Sequence, residues 1–176
     1  LLSKAMDMLF EKTERTCDQI DLAIGGELSN QLATTSYTLR KLPISLIGIY
    51  SACSTIALGL ITAGLSLSQS SVRRVLVFTS SHNQSAERQF RNPVEYGGAK
   101  EDTQTFTATI GAACFLSHEK SPIRLSSVTV GKVVDVGFTD SMDYGRAMMP
   151  AALETLLEHF KTTATTPADY DLVLTG

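Results

Sequence analysis

The stretch GIYSACSTIALGL, residues 48–60, decides how this chain is read. An apolar run, ISLIGIY (residues 44–50), ends at three small residues, Ser51, Ala52 and Cys53. From Ser54 to Ser68 the pattern becomes helical and is apolar nearly all round. The reading is a buried strand, a tight turn carrying a thiol, and an internal helix. In an open α/β sheet, ligands bind beyond the carboxyl ends of the strands, so a cysteine placed here marks a candidate pocket. A helix start also offers unpaired N–H groups and the positive end of the macrodipole, conditions that favour a thiolate.

The flanking sequence repeats this pattern. Residues 1–13 space Leu2, Ala5, Met6 and Leu9 as an amphipathic helix. QIDLAIGG (residues 19–26) reads as a buried strand, residues 30–41 as a helix closed by Pro43, and RRVLVFTSS (residues 73–81) as a strand of a parallel sheet. Residues 82–103 are long, polar and punctuated by Pro93, Gly97 and Gly98, and read as a functional loop. QTFTATIGAACFL (residues 104–116) and IRLSSVTVGKVVDVG (residues 123–137) read as two strands, residues 149–161 as a helix, and YDLVLTG (residues 170–176) as a last strand. Alternating strands and helices predict an α/β fold with right-handed parallel crossovers.

The two ends of the chain resemble each other. Leu2, Ala5, Met6 and Leu9 match Leu153, Leu156, Leu157 and Phe160 at a constant offset. Asp21-Leu22-Ala23-Ile24 then matches Asp171-Leu172-Val173-Leu174 with the offset changed by one residue. A unit of helix, polar loop and strand is used twice. The chain begins without Met and ends on an apolar run, which reads as a piece of a longer protein.

Composition narrows the function classes. With 176 residues, 43% hydrophobic and 19% charged, the chain is long enough for a real core. A net charge of −3 gives no reason to expect a nucleic acid partner. Three cysteines, Cys17, Cys53 and Cys114, are far apart and form no CxxC, so neither a disulfide framework nor a zinc site is expected. Cys17 and Cys114 read as packing, and His118 and His159 as surface residues. The longest apolar stretch, residues 56–67, is too short to span a membrane and is interrupted by Thr62, Gly64 and Ser66. The start of the chain has no basic leading segment and is not read as a signal peptide.

The strand, cysteine turn and buried helix of GIYSACSTIALGL resemble the nucleophile turn of thiolases and ketoacyl synthases. A closer resemblance lies in YSACST (50–55), TSSHNQSAERQFRNPVEYGGAK (79–100), GKVVDVG (131–137), MMPAALETLLEHF (148–160) and YDLVLTG (170–176), and extends over essentially the whole chain. These stretches are similar to the stage V sporulation protein AD family. The resemblance implies a thiolase-like layered fold, with residues 1–145 as a partial N-terminal half and residues 146–176 opening a C-terminal half. It implies a strand order 3-2-1-4-5 in which the first strand is central and precedes this chain. The chain would then lack the middle strand of its first sheet and would not fold stably alone.

The resemblance also implies a function. Such proteins are taken to bind dipicolinic acid without transforming it, for uptake into the developing spore, alongside membrane proteins of the same transport system. They would sit peripherally at the inner membrane of the spore or forespore. The expected contacts are Cys53, Ser54, Thr55, His82, Asn83, Arg91 and Lys100. Two carboxylates call for cationic side chains, N–H donors or a helix start, and Arg88 adds to the basic loop. No cofactor is expected. The alternative is an acyl transferase with Cys53 as nucleophile, which requires a base and oxyanion donors nearby. A third reading is a scaffold for membrane partners. Residues 44–50 would pair two copies as a homodimer, since an uncovered edge of buried-type sequence would aggregate.

Overall fold

A computed structural model describes residues 1–90, 106–140 and 143–174 of the chain. They fall into two compact units, residues 1–120 and 121–176.

The first unit is organised by the run Val75-Leu76-Val77-Phe78, which is wholly removed from solvent. It lies in a strand, β3 (Arg74–Ser81). Side chains alternate along a strand, so a continuous apolar run requires cover on both faces. Leu76 and Phe78 pack with Leu2 and Met6 of helix α1 (Leu2–Thr13) and Leu39 of α2 (Ala33–Leu39). Val75 and Val77 pack on the other face with Ala63 and Leu67 of α3 (Thr55–Leu67). The result is three layers, helices on either side of one sheet. Helix α3 approaches closely because Gly59 has no side chain. A Cβ there would lie 2.8 Å from Val77 Cγ1.

The sheet order is β2-β1-β3-β4. Strand β1 (Leu22–Glu27) pairs in parallel with β3 from Leu22 opposite Val75 to Glu27 opposite Ser80. On the far side of β1, β2 (Leu46–Gly48) is parallel to it. Strand β4 (Ile110–Ser117) runs antiparallel to β3 over its whole length.

Several expectations are corrected. The sheet has no central gap: β1 and β3 are hydrogen-bonded neighbours, so tight at Gly25 that a Cβ would meet Phe78 O at 2.2 Å. Residues 44–50 are not a buried strand; only Leu46–Gly48 are β-structure, on the sheet's rim and exposed. Helix α3 is buried along one stripe, Thr55, Gly59, Ala63 and Leu67, and Leu65 faces solvent. Composition alone cannot distinguish a helix enclosed all round from one whose apolar back faces outward. Residues 83–90 are not loop but a helix, α4 (Asn83–Phe90), burying Ala86 and Glu87. The remainder of the expected loop, residues 91–103, is outside the described residues except in sequence.

The second unit holds a long helix, α5 (Tyr144–Thr163), begun by Asp143, whose carboxylate accepts from Arg146 N at 3.0 Å. Residues 123–137 and 170–176 are expected as strands; neither residues 123–137 nor residues 170–174, the described part of the second, carry a ladder. Alternating Val residues favour an extended backbone, but a strand needs a hydrogen-bonded neighbour. His159 is not a free surface group. Its Nδ1 lies 2.8 Å from Thr129 Oγ1 and its Nε2 2.8 Å from Tyr170 OH, beside the rings of Phe160 and Tyr170. Among the described residues no helix is long and apolar enough to cross a membrane.

Candidate functional site at the carboxyl edge of the sheet

Because β2, β1 and β3 are parallel, their carboxyl ends share one edge. The chain leaving each strand carries residues of interest. Glu27 ends β1 and Asn30 follows it, after β2 comes the Cys53 turn, and after β3 come His82 and α4.

The Cys53 turn is a single 3-10 turn, Ala52–Ser54, leading into α3. Ala52 has a positive φ of 44°, a left-handed conformation that costs an L-residue about 1–2 kcal/mol. The turn is held from within. Thr55 Oγ1 donates to Ala52 O at 2.8 Å and accepts from Ser51 N at 3.1 Å. Ser54 Oγ donates to Ser51 O at 2.8 Å and lies 2.6 Å from Ser51 Oγ. The Cys53 thiol is exposed, at the rim rather than in the core. By contrast, Cys114 is partly covered by the α3-side core, and burial pushes its thiol pKa up.

The expected contact residues divide by what their groups already do. Cys53 and Ser54 are exposed side by side. Thr55 is fully buried with its hydroxyl engaged in the turn, so its part is to hold Cys53 in place. His82 is exposed immediately after β3. Asn83 is turned toward the chain before β4: its Nδ2 donates to Thr107 O at 2.9 Å and its backbone N to Thr109 Oγ1 at 2.9 Å. Arg88 is exposed on α4. Arg91 and Lys100 lie outside the described residues.

Three residues that the sequence reading passed over join these pieces. Gln89, on the last turn of α4, accepts from Asn30 N at 2.9 Å and donates to Tyr50 OH at 3.2 Å. Glu87 is buried and accepts from Thr107 N at 3.1 Å. Glu27 is buried at the end of β1 and accepts from Thr34 N at 2.9 Å, starting α2. The available signal was the amphipathic spacing of Ala86 and Phe90 after a capping-type Asn83, hidden by the polarity of the stretch.

The architecture is a thiolase-like fold. A tetronic acid condensing enzyme shares 19% identity and superposes with a TM-score of 0.65, over 99% of this chain and 61% of that one. Xanthomonas campestris OleA bound with cerulenin gives 0.68 at 14% identity, over 97% of this chain and 55% of that one. A 3-oxoacyl-(acyl-carrier-protein) synthase III gives 0.67 at 12% identity, over 97% and 61%. At such identities the likeness speaks for the fold alone. Within that class the family is defined by sequence: residues 1–176 match the profile of stage V sporulation protein AD, and the chain belongs to that family. It is 44% identical over 176 residues to stage V sporulation protein AD of Bacillus subtilis, covering all of this chain and 52% of that protein. The chain thus spans about half the length of the curated relative it matches.

Proposed function

We propose that this sporulation protein binds dipicolinic acid at the carboxyl edge of its sheet and does not transform it, as part of its uptake into the developing spore. The observation that carries the reading is the exposed Cys53–Ser54 turn at the mouth of the parallel strands, in a chain of a sporulation family. A pyridine dicarboxylate needs donors for its oxygens and a wall for its ring. The turn supplies hydroxyls and the start of α3, His82 supplies an imidazole, and Arg91 and Lys100 would supply charge. Membrane proteins of the same transport system are the proposed partners, with the protein peripheral at the spore or forespore inner membrane. A second copy pairing along residues 44–50 would cover the exposed edge that carries Leu46 and Ile47.

The alternative, acyl transfer with Cys53 as nucleophile, draws on the same exposed thiol in its strained turn. One experiment separates the two. Dipicolinate binding is measured by calorimetry on the protein and on Cys53→Ala, and intact mass is recorded after incubation with an acyl-CoA. Binding without a mass increase is expected. An acyl adduct that disappears in Cys53→Ala would establish the alternative instead, and absence of both leaves the scaffold role.

A further inference from the structure

We infer that Gln89 is a positioning residue that registers helix α4 on the Cys53 turn; its service to a ligand rests on the binding reading above. Helix α4 is held from two sides. Near its start Asn83, and in its middle Glu87, fasten it to residues 107–109. On its last turn Gln89 reaches the other way, to the loops that leave β1 and β2.

The chemistry of the amide fits this duty. The backbone N–H of Asn30 can only donate, so the oxygen of Gln89 must face it, which aims the amide NH2 at Tyr50 OH. One planar group thereby fixes the spacing between two loops and the helix. Tyr50 lies three residues before Cys53, and the bonds of Ser51, Ser54 and Thr55 stay within the turn. The turn is rigid within itself, and Gln89 relates it to the helix that begins beside His82. Cutting the amide frees the turn from α4 while Asn83 and Glu87 keep the helix in place.

The test is hydrogen exchange followed by mass spectrometry on the protein, with Gln89→Ala, Gln89→Glu and Tyr50→Phe, alongside dipicolinate calorimetry. In Gln89→Ala the amides of residues 28–32 and 50–55 are expected to exchange about threefold to tenfold faster, the scale of one lost surface hydrogen bond, with β3 unchanged. Gln89→Glu should behave as wild type, because a carboxylate accepts from both the Asn30 N–H and the Tyr50 hydroxyl. Tyr50→Phe should loosen residues 50–55 and leave Asn30 protected. Exchange in Gln89→Ala equal to wild type, or faster everywhere, overturns the inference. So does unchanged exchange at 50–55 in Tyr50→Phe, should the alanine variant fail to fold. If wild type binds dipicolinate, its Kd should rise in Gln89→Ala and recover in Gln89→Glu, and loosened exchange with an unaltered Kd refutes the link to the ligand. Failure of wild type to bind dipicolinate refutes the binding reading, and exchange alone then decides the role of Gln89.

Discussion

The two copies of the helix–turn unit are alike in backbone and opposite in burial. Helix α1 ends on Glu14 with φ 53° and ψ 39°, and α5 ends on Ala164 with φ 54° and ψ 39°. Each is followed by a 3-10 turn, Cys17–Gln19 and Pro167–Asp169, opened by Thr16 and Thr166 with matching capping boxes. Yet Leu2 and Met6 are 1% exposed, while Leu153 and Leu157 are 54% and 59% exposed. The likeness extends the sequence match to the backbone of the helix end and its turn. It teaches that a helix stop, a left-handed residue and a capped turn are written locally. Burial is not local, because it needs a sheet such as the one that α1 covers.

The largest test of that contrast is truncation of equivalent core-type residues. Met6→Ala should destabilise the protein by about 2–5 kcal/mol, the cost of a large-to-small change in a packed core. Leu157→Ala, at the matching position, should change stability by less than about 0.5 kcal/mol. Thermal or urea unfolding measures both. Equal losses would mean that the α5 face is covered in solution, and the contrast would be lost.

A smaller effect is expected at the paired aspartates. Asp21 Oδ2 accepts from Arg73 N at 2.8 Å and from Arg74 N at 2.9 Å, tying the start of β1 to β3. Those two backbone N–H groups hold its carboxyl below the usual carboxylate range, against a smaller opposing effect of burial. Asp171 makes no such clamp among the described residues. Asp21→Ala should cost about 1 kcal/mol, since water can replace part of an exposed bond, and Asp171→Ala close to nothing. Because the folded pKa of Asp21 is depressed, its contribution is full above about pH 4, the ordinary unfolded value. It fades as pH falls through the lower folded value. A stability–pH profile that is flat between wild type and Asp21→Ala on the acid side would contradict this.

The smallest effect distinguishes the two capping turns. Thr16 N donates to the neutral Gln19 Oε1 at 3.2 Å, and Thr166 N to the charged Asp169 Oδ2 at 2.7 Å. The Thr166 backbone N–H, then its hydroxyl, keep the Asp169 carboxyl below its ordinary range. On acidification below about pH 4, the Thr166 amide signal should move and the Thr16 signal should not, as read by NMR. Asp169→Gln should remove the difference, and a titrating Thr16 amide would break the comparison.

Much of the fold was legible because burial on both faces leaves an unmistakable mark. Val75 to Phe78 read as a buried strand, and Leu2, Ala5, Met6 and Leu9 announce a helix with one wet face. The failures share one physical cause: they depend on what stands beside the segment. Residues 123–137 have strand-like alternation without a paired neighbour. Residues 44–50 have core-like composition but supply an edge. Helix α4 was hidden because its buried side includes a carboxylate, Glu87, whose partner Thr107 is 20 residues away. At the site, Cys53 and its turn were readable from small residues between two apolar runs. Gln89 and Tyr50 were not, since nothing in their spacing of 39 residues says that they touch.

By itself the sequence determined the layered α/β class, the twice-used helix–turn unit and the cysteine at a strand-to-helix turn, because each follows from local periodicity and turn chemistry. Tertiary structure alone decided that β1 lies directly against β3, that β2 is an edge, that Thr55 is engaged while Cys53 is exposed, and that α4 is tethered through Gln89. These are matters of which surfaces meet. Hydrogen bonds and hydrophobic burial are indifferent to separation along the chain, so no local pattern carries them.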